Sequence, residues 1–163
     1  MKYFYDTYQS PLGLIHIILD ETGVFRVELT SEGWQRFVDA FGMPVHDQAR
    51  CAEVIRQVDL YFHGKTKNFS LPLSIQGPAF SQKVWQELRS IPYGETRSYA
   101  EVARALGKPN SCRAVGQANR RNPLPIIIPC HRVIGKNGAM TGYIGKGYIG
   151  LKEQLLELER ENR

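Results

Sequence analysis

Residues 98–121 read SYAEVARALGKPNSCRAVGQANRR. Ser98 and Glu101 have the spacing of a capping box, in which each side chain satisfies the other's backbone N–H, so a helix should start near Tyr99. It carries Val102 and Leu106 and stops at Gly107. Lys108-Pro109-Asn110 then forms a turn, with Asn110 placed to cap a second helix over about Ser111 to Asn119. Two short helices joined by a Gly-containing turn predict a helix-turn-helix. At about 100° per residue from Ser111, Val115, Ala118 and Ala114 cluster on an inward side. Arg113, Gly116, Gln117 and Arg120 fall opposite, and Gly116 removes a side chain that would hold a ligand's backbone away.

The charge around this motif is lopsided. The chain has 163 residues and a net charge of +5. Residues 1–76 hold 7 Lys/Arg against 9 Asp/Glu, whereas residues 77–163 hold 14 against 7. Within 97–136 there are eight basic residues and a single acid, Glu101. A basic half of this kind suits a polyanionic partner through phosphate attraction and counterion release. Apolar content of 42% and 3 Cys exclude a disordered tail and a disulfide scaffold. No apolar run is long enough to span a bilayer, and the opening MKYFYDTYQS lacks the layout of a secretory leader. A soluble, cytoplasmic protein with reduced thiols, working away from membranes, is the expectation.

Upstream, two segments are expected. In residues 1–76, Tyr3 to Leu29 alternate as strands around the turns Ser10-Pro11-Leu12-Gly13 and Asp20-Glu21-Thr22-Gly23, which predicts a three-stranded antiparallel meander. Residues 47–62 space Cys51, Val54, Ile55, Val58 and Phe62 for one helix face. Gly77-Pro78 marks the passage to residues 77–163, where Phe80, Val84, Trp85, Leu88 and Ile91 form another helical stripe. The fold class is therefore α+β: a small antiparallel sheet plus helix, then a mainly helical C-terminal domain with a winged-helix-like helix-turn-helix.

Downstream, NPLPIIIPCHRV (residues 122–133) leads an apolar run into Cys130, flanked by His131 and Arg132. A thiolate is the reactive form of cysteine, and neighbouring cations or a base promote it. Cys51 reads as helix core, and Cys112 has no histidine beside it. His16, His46, His63 and His131 show no zinc-ligand spacing with the three cysteines, so no metal and no cofactor are expected. In the last helix, Leu151, Leu155, Leu156 and Leu158 define an apolar side. Glu159 falls between Leu155 and Leu156, with Lys152 on the same face. An inward carboxylate requires a partner, and His131 is the candidate.

With these blocks in place, NPLPIIIPCHRV and GAMTGYIGKGYIGLKEQLLELE closely resemble the active-site region of the O6-alkylguanine-DNA alkyltransferases, the methylated-DNA–protein-cysteine methyltransferases. The resemblance runs from about Phe80 to Glu159. It implies direct-reversal repair: one irreversible transfer of an alkyl group from O6-alkylguanine, and from O4-alkylthymine, in double-stranded DNA to the protein. It also implies a ribonuclease H-like fold for residues 1–76 as a scaffold, with residues 77–163 binding DNA and accepting the alkyl group.

Residue by residue, the resemblance makes Cys130 the acceptor, His131 its base through a water, and Glu159 the residue that orients His131. Asn122 would hold the active-site turn, and Tyr99 would donate to guanine N3. Arg113 would replace the flipped nucleotide, with Ser98, Ala114, Gly116, Gln117 and Arg120 against the DNA minor groove. Pro125, Val133, Tyr143, Ile144 and Gly145 would line the base and alkyl pocket, and Lys152 would support the site. Ile144 is bulkier than usual there, and the loop before Lys152 is longer than in some relatives, both of which bear on pocket width. A damage binder of the alkyltransferase-like kind would lack Cys130. A regulator using only the helix-turn-helix leaves Glu159 and the Pro-Cys-His-Arg-Val block without purpose. A cysteine hydrolase would need an oxyanion motif that is not evident.

Overall fold

The computed structural model describes residues 1–138 and 148–163. The chain divides into two compact units, Met1–Ile75 and Gln76–Arg163.

In the first unit, β1 (Phe4–Ser10), β2 (Gly13–Leu19) and β3 (Val24–Glu28) form the expected antiparallel meander. The Asp20 carboxylate fixes the second turn by accepting from Thr22 N at 2.8 Å and Gly23 N at 3.0 Å. At Gly23 a Cβ would sit 2.3 Å from the Pro72 carbonyl oxygen, so only glycine lets the 72–74 segment pair with Val24.

Two elements go beyond the sequence reading. Helix α1 (Ser31–Phe41) is capped by Thr30, whose Oγ1 accepts from Gly33 N at 3.0 Å. Strand β4 (Val45–His46) joins β1 in parallel, giving the order β3-β2-β1-β4. The expected helix is α2 (Gln48–Phe62), capped by Asp47. The sheet needs two helices because both its faces are apolar. Ile18 packs with Phe25 and Phe37, the latter from α1. Ile15 and Ile17 point the other way and are equally buried.

The second unit begins with α3 (Ala79–Leu88), which buries Val84, Trp85 and Leu88. The two-residue strand β5 (Arg97–Ser98) runs into α4 (Tyr99–Ala105), with the capping box present in both directions. Gly107 takes a φ of 74°, where a side chain would be strained. Helix α5 (Cys112–Arg120) follows, so the helix-turn-helix is in place. Its N-cap is Ser111 and not Asn110, and the cap has no side-chain hydrogen bond.

Ala114 is also corrected. It is exposed, and the buried stripe of α5 is Val115, Ala118 and Asn119. Asn119 displaces Ala114 from the inward side because its amide is needed there, as described below. After a loop, a 3-10 turn covers Cys130–Arg132 and β6 (Val133–Ile134) pairs in parallel with β5. Helix α6 (Ile149–Glu161) closes the unit.

Candidate active site

The loop from Asn122 to Cys130 is shaped by one side chain. Asn122 Nδ2 donates to Ile128 O at 2.8 Å while its Oδ1 accepts from Leu124 N at 2.9 Å. This fork clamps both ends of a turn closed by Ile128 N to Leu124 O at 2.8 Å. Inside it Ile126 has a φ of 77°, a left-handed conformation costing a β-branched residue on the order of 1–3 kcal/mol. The buried clamp offsets that strain. Pro125 is buried in the same turn, bridged to Ile128.

The turn delivers Cys130 into a fully buried position. Its carbonyl is held by Asn119 Nδ2 at 3.3 Å, and Trp85 Nε1 fixes the neighbouring Ala118 carbonyl at 2.8 Å. The end of α5 is thereby bonded directly to the thiol-bearing residue. Sequence reading assigned nothing to Asn119. Val133, immediately beyond the 3-10 turn, is buried and anchored to β5.

Glu159 is fully buried and organises the other side. It receives His131 Nε2 at 2.6 Å, Arg132 Nε at 2.8 Å, Arg132 Nη2 at 3.0 Å and Gly94 N at 3.1 Å. The expected His131–Glu159 pair is therefore present. Arg132 is not a cation spent on the thiol, as its position beside Cys130 suggested. Its guanidinium is committed to Glu159 and, through Nη1, to the Ile91 carbonyl at 2.7 Å. Burial opposes ionisation of Glu159, but the hydrogen bonds from His131 and Arg132 and the charge of Arg132 outweigh it and hold the carboxyl well below the usual range.

Burial pushes His131 the other way, lowering its pKa despite Glu159. A neutral imidazole facing a carboxylate must carry its proton on Nε2. Nδ1 then bears a lone pair, and it is buried with no hydrogen-bond partner among the described residues. The site thus holds a neutral base beside a cysteine, backed by an ionised carboxylate.

Lys152 on α6 is fully buried, its ammonium 6.0 Å from the centre of the Tyr99 ring. Burial lowers it to about 8, and the charge of Cys130 works in the opposite direction. Tyr99 is half-buried at the start of α4, and its ring lies 3.8 Å from where a Gly116 Cβ would stand. Ser98, the cap beneath it, is half-buried; Arg113, Ala114, Gln117 and Arg120 are exposed along α5. Tyr143, Ile144 and Gly145 lie outside the described residues.

Comparison with known proteins agrees along the whole chain. Residues 79–161 match the family model described as 6-O-methylguanine DNA methyltransferase, DNA binding domain. Residues 3–75 match the one described as 6-O-methylguanine DNA methyltransferase, ribonuclease-like domain. The constitutive methylated-DNA--protein-cysteine methyltransferase of Bacillus subtilis is 49% identical over 158 residues, covering 96% of this chain and 95% of that protein. A Methanosarcina barkeri protein named methylated-DNA--protein-cysteine methyltransferase is 43% identical, covering 98% of each chain. Among solved structures, the Mycobacterium tuberculosis O6-methylguanine methyltransferase superposes with a TM-score of 0.89 at 37% identity, covering 99% of this chain and 94% of that one. A Mycobacterium tuberculosis OGT structure in complex with DNA gives 0.87 at 38% identity, with the same coverage.

Proposed function

Because this chain belongs to the methylated-DNA–protein-cysteine methyltransferase family, we propose that it repairs O6-alkylguanine in double-stranded DNA by taking the alkyl group irreversibly onto Cys130. The observation that carries this reading is the buried Glu159–His131 pair next to Cys130, with the Nδ1 lone pair of His131 left over. His131 accepts the thiol proton through a water, and Glu159 orients the ring and stabilises the imidazolium that results. The thiolate then attacks the alkyl carbon in line, forming the S–C bond as the C–O6 bond breaks.

An alkyl carbon on a stacked guanine cannot reach a buried thiol, so the nucleotide must leave the stack, at a few kcal/mol. Arg113, exposed on the first turn of α5, takes the vacated place. Ser98, Ala114, Gly116, Gln117 and Arg120 lie against the minor groove, where the small side chains allow close approach. Pro125 and Val133 bound the extruded base. Tyr99 donates to guanine N3 as charge develops on the leaving purine, and Asn122 keeps the thiol-bearing turn in shape. Residues 1–76 serve as scaffold and 77–163 as the DNA-binding and acceptor part, in a monomer working in the reducing cytoplasm. Among the described residues, no helix is long and apolar enough to cross a membrane.

A Cys130→Ser variant tests the assignment. It should bind a duplex containing O6-methylguanine as the unaltered protein does and leave the lesion intact. Lesion removal by this variant would place the acceptor elsewhere.

A further inference from the structure

Asn119 plays no part in the steps above, yet the last turn of α5 buries it to 1% exposure. By stability alone an apolar residue would suit that place better. Its Nδ2 donates to the Cys130 carbonyl at 3.3 Å, which is long for such a bond. That carbonyl also accepts from Val133 N, so it stays paired without Asn119. The Oδ1 atom is buried with no hydrogen-bond partner among the described residues. A half-used amide in the core costs free energy that an apolar side chain of the same shape does not.

We propose that Asn119 is a positioning residue that ties the acceptor cysteine to the helix lying against the DNA. This rests on the alkyl-transfer reading above. The outer face of α5 exposes Arg113, Ala114, Gln117 and Arg120, so a duplex held there fixes the helix. Trp85 Nε1 of α3 holds the Ala118 carbonyl at 2.8 Å, which keeps the last turn of α5 from slipping. Asn119 is the next residue, and its amide reaches from that turn to Cys130.

The Cys130 backbone is held at three points. Its N–H donates to Ile128 O at 2.7 Å, and its carbonyl accepts from Val133 N of β6 and from Asn119 Nδ2 of α5. Two donors from different elements on one oxygen fix the direction of the carbonyl, and so the plane of the peptide that follows Cys130. The Cα–Cβ bond of Cys130, and with it the line from Sγ to the alkyl carbon, follows from that plane. In-line displacement is steep in this geometry, since a misplacement of about 1 Å costs on the order of 100-fold in rate. Val133 N ties the carbonyl to its own strand, whereas Asn119 refers it to α5.

The experiment compares Asn119→Leu and Asn119→Ala with the unaltered protein in single-turnover transfer at saturating O6-methylguanine duplex. The methyl group is followed on the Cys130 peptide by mass. Both variants should transfer about 10- to 100-fold more slowly while binding the duplex with unchanged affinity. Asn119→Leu should melt at or above the temperature of the unaltered protein, and Asn119→Ala, which leaves a cavity, below it. A rate loss shared by two variants of opposite stability does not come from stability. Without DNA, Cys130 of both variants should react with iodoacetamide no more slowly than in the unaltered protein, because a small diffusing reagent needs no alignment with α5. Normal transfer by Asn119→Leu would overturn the proposal, as would a matching loss of iodoacetamide reactivity. An Asn119→Leu chain that melts lower or fails to fold would also overturn it, by making Asn119 a stabilising residue. Absence of methyl on Cys130 in the unaltered protein would instead overturn the alkyl-transfer reading itself.

Discussion

Glu159 meets His131, Arg132 and the Gly94 N–H with no exposure to water, so its removal does more than disorient a base. Glu159→Gln leaves the Arg132 guanidinium buried without a counter-charge, and breaking such a pair costs about 3–5 kcal/mol. Urea denaturation should show a loss of that size, partly recovered when Arg132→Met is added. His131 gives a pH signature of definite sign. Its folded pKa lies below the ordinary 6.5. As pH falls below about 6.5 the unfolded chain takes up a proton that the folded chain refuses. Stability is therefore fully present above about 6.5 and declines on acidification toward the folded pKa. Denaturation midpoints at pH 7.5 and 5.5 check this, and His131→Gln should remove that part of the slope. Cys130, His131 and Glu159 were legible as candidates because a nucleophile, a base and an inward carboxylate each leave a mark in composition and spacing. Arg132 was misread because adjacency in sequence does not say which way a long side chain turns.

Between elements, the important joints are the capping box and the Asn122 clamp. Ser98 caps α4 and, one register step from Arg97↔Val133, pairs with Ile134. Ser98→Ala should cost about 1 kcal/mol. Asn122→Ala strands a buried carbonyl and a buried N–H and frees the strained Ile126 turn. It should cost about 2–4 kcal/mol, read as a lower thermal midpoint, and should slow transfer without abolishing DNA binding. The helix-turn-helix was readable because caps and a left-handed Gly107 are local signals. The two-residue strands β4, β5 and β6 were not, since two residues carry no periodicity. Helix α1 does carry a local signal, a cap at Thr30 and apolar Trp34, Phe37 and Phe41 at helical spacing. Ala114 went wrong for a different reason. Hydrophobic periodicity gives Asn no inward weight, whereas the Cys130 carbonyl draws Asn119 inward from a neighbouring element.

For the molecule as a whole, the uneven charge predicts how DNA binding responds to salt. Affinity for undamaged duplex should fall steeply between 50 and 200 mM salt. On the proposed assignment Arg120 meets a phosphate, so Arg120→Ala should reduce the slope of log affinity against log salt by about one. On the proposed assignment Arg113 acts inside the duplex, so Arg113→Ala should leave that slope unchanged and lower the lesion transfer rate. Equal changes for both arginines would argue against the division of labour along α5.

The decisive measurement is peptide mass mapping after reaction with a duplex whose O6-methyl group is deuterated. One labelled methyl per molecule should be found on the peptide containing Cys130, none on those containing Cys51 or Cys112, with ordinary guanine restored in the DNA. Label on another residue, or an intact lesion in a bound complex, would contradict the assignment of Cys130 as the acceptor.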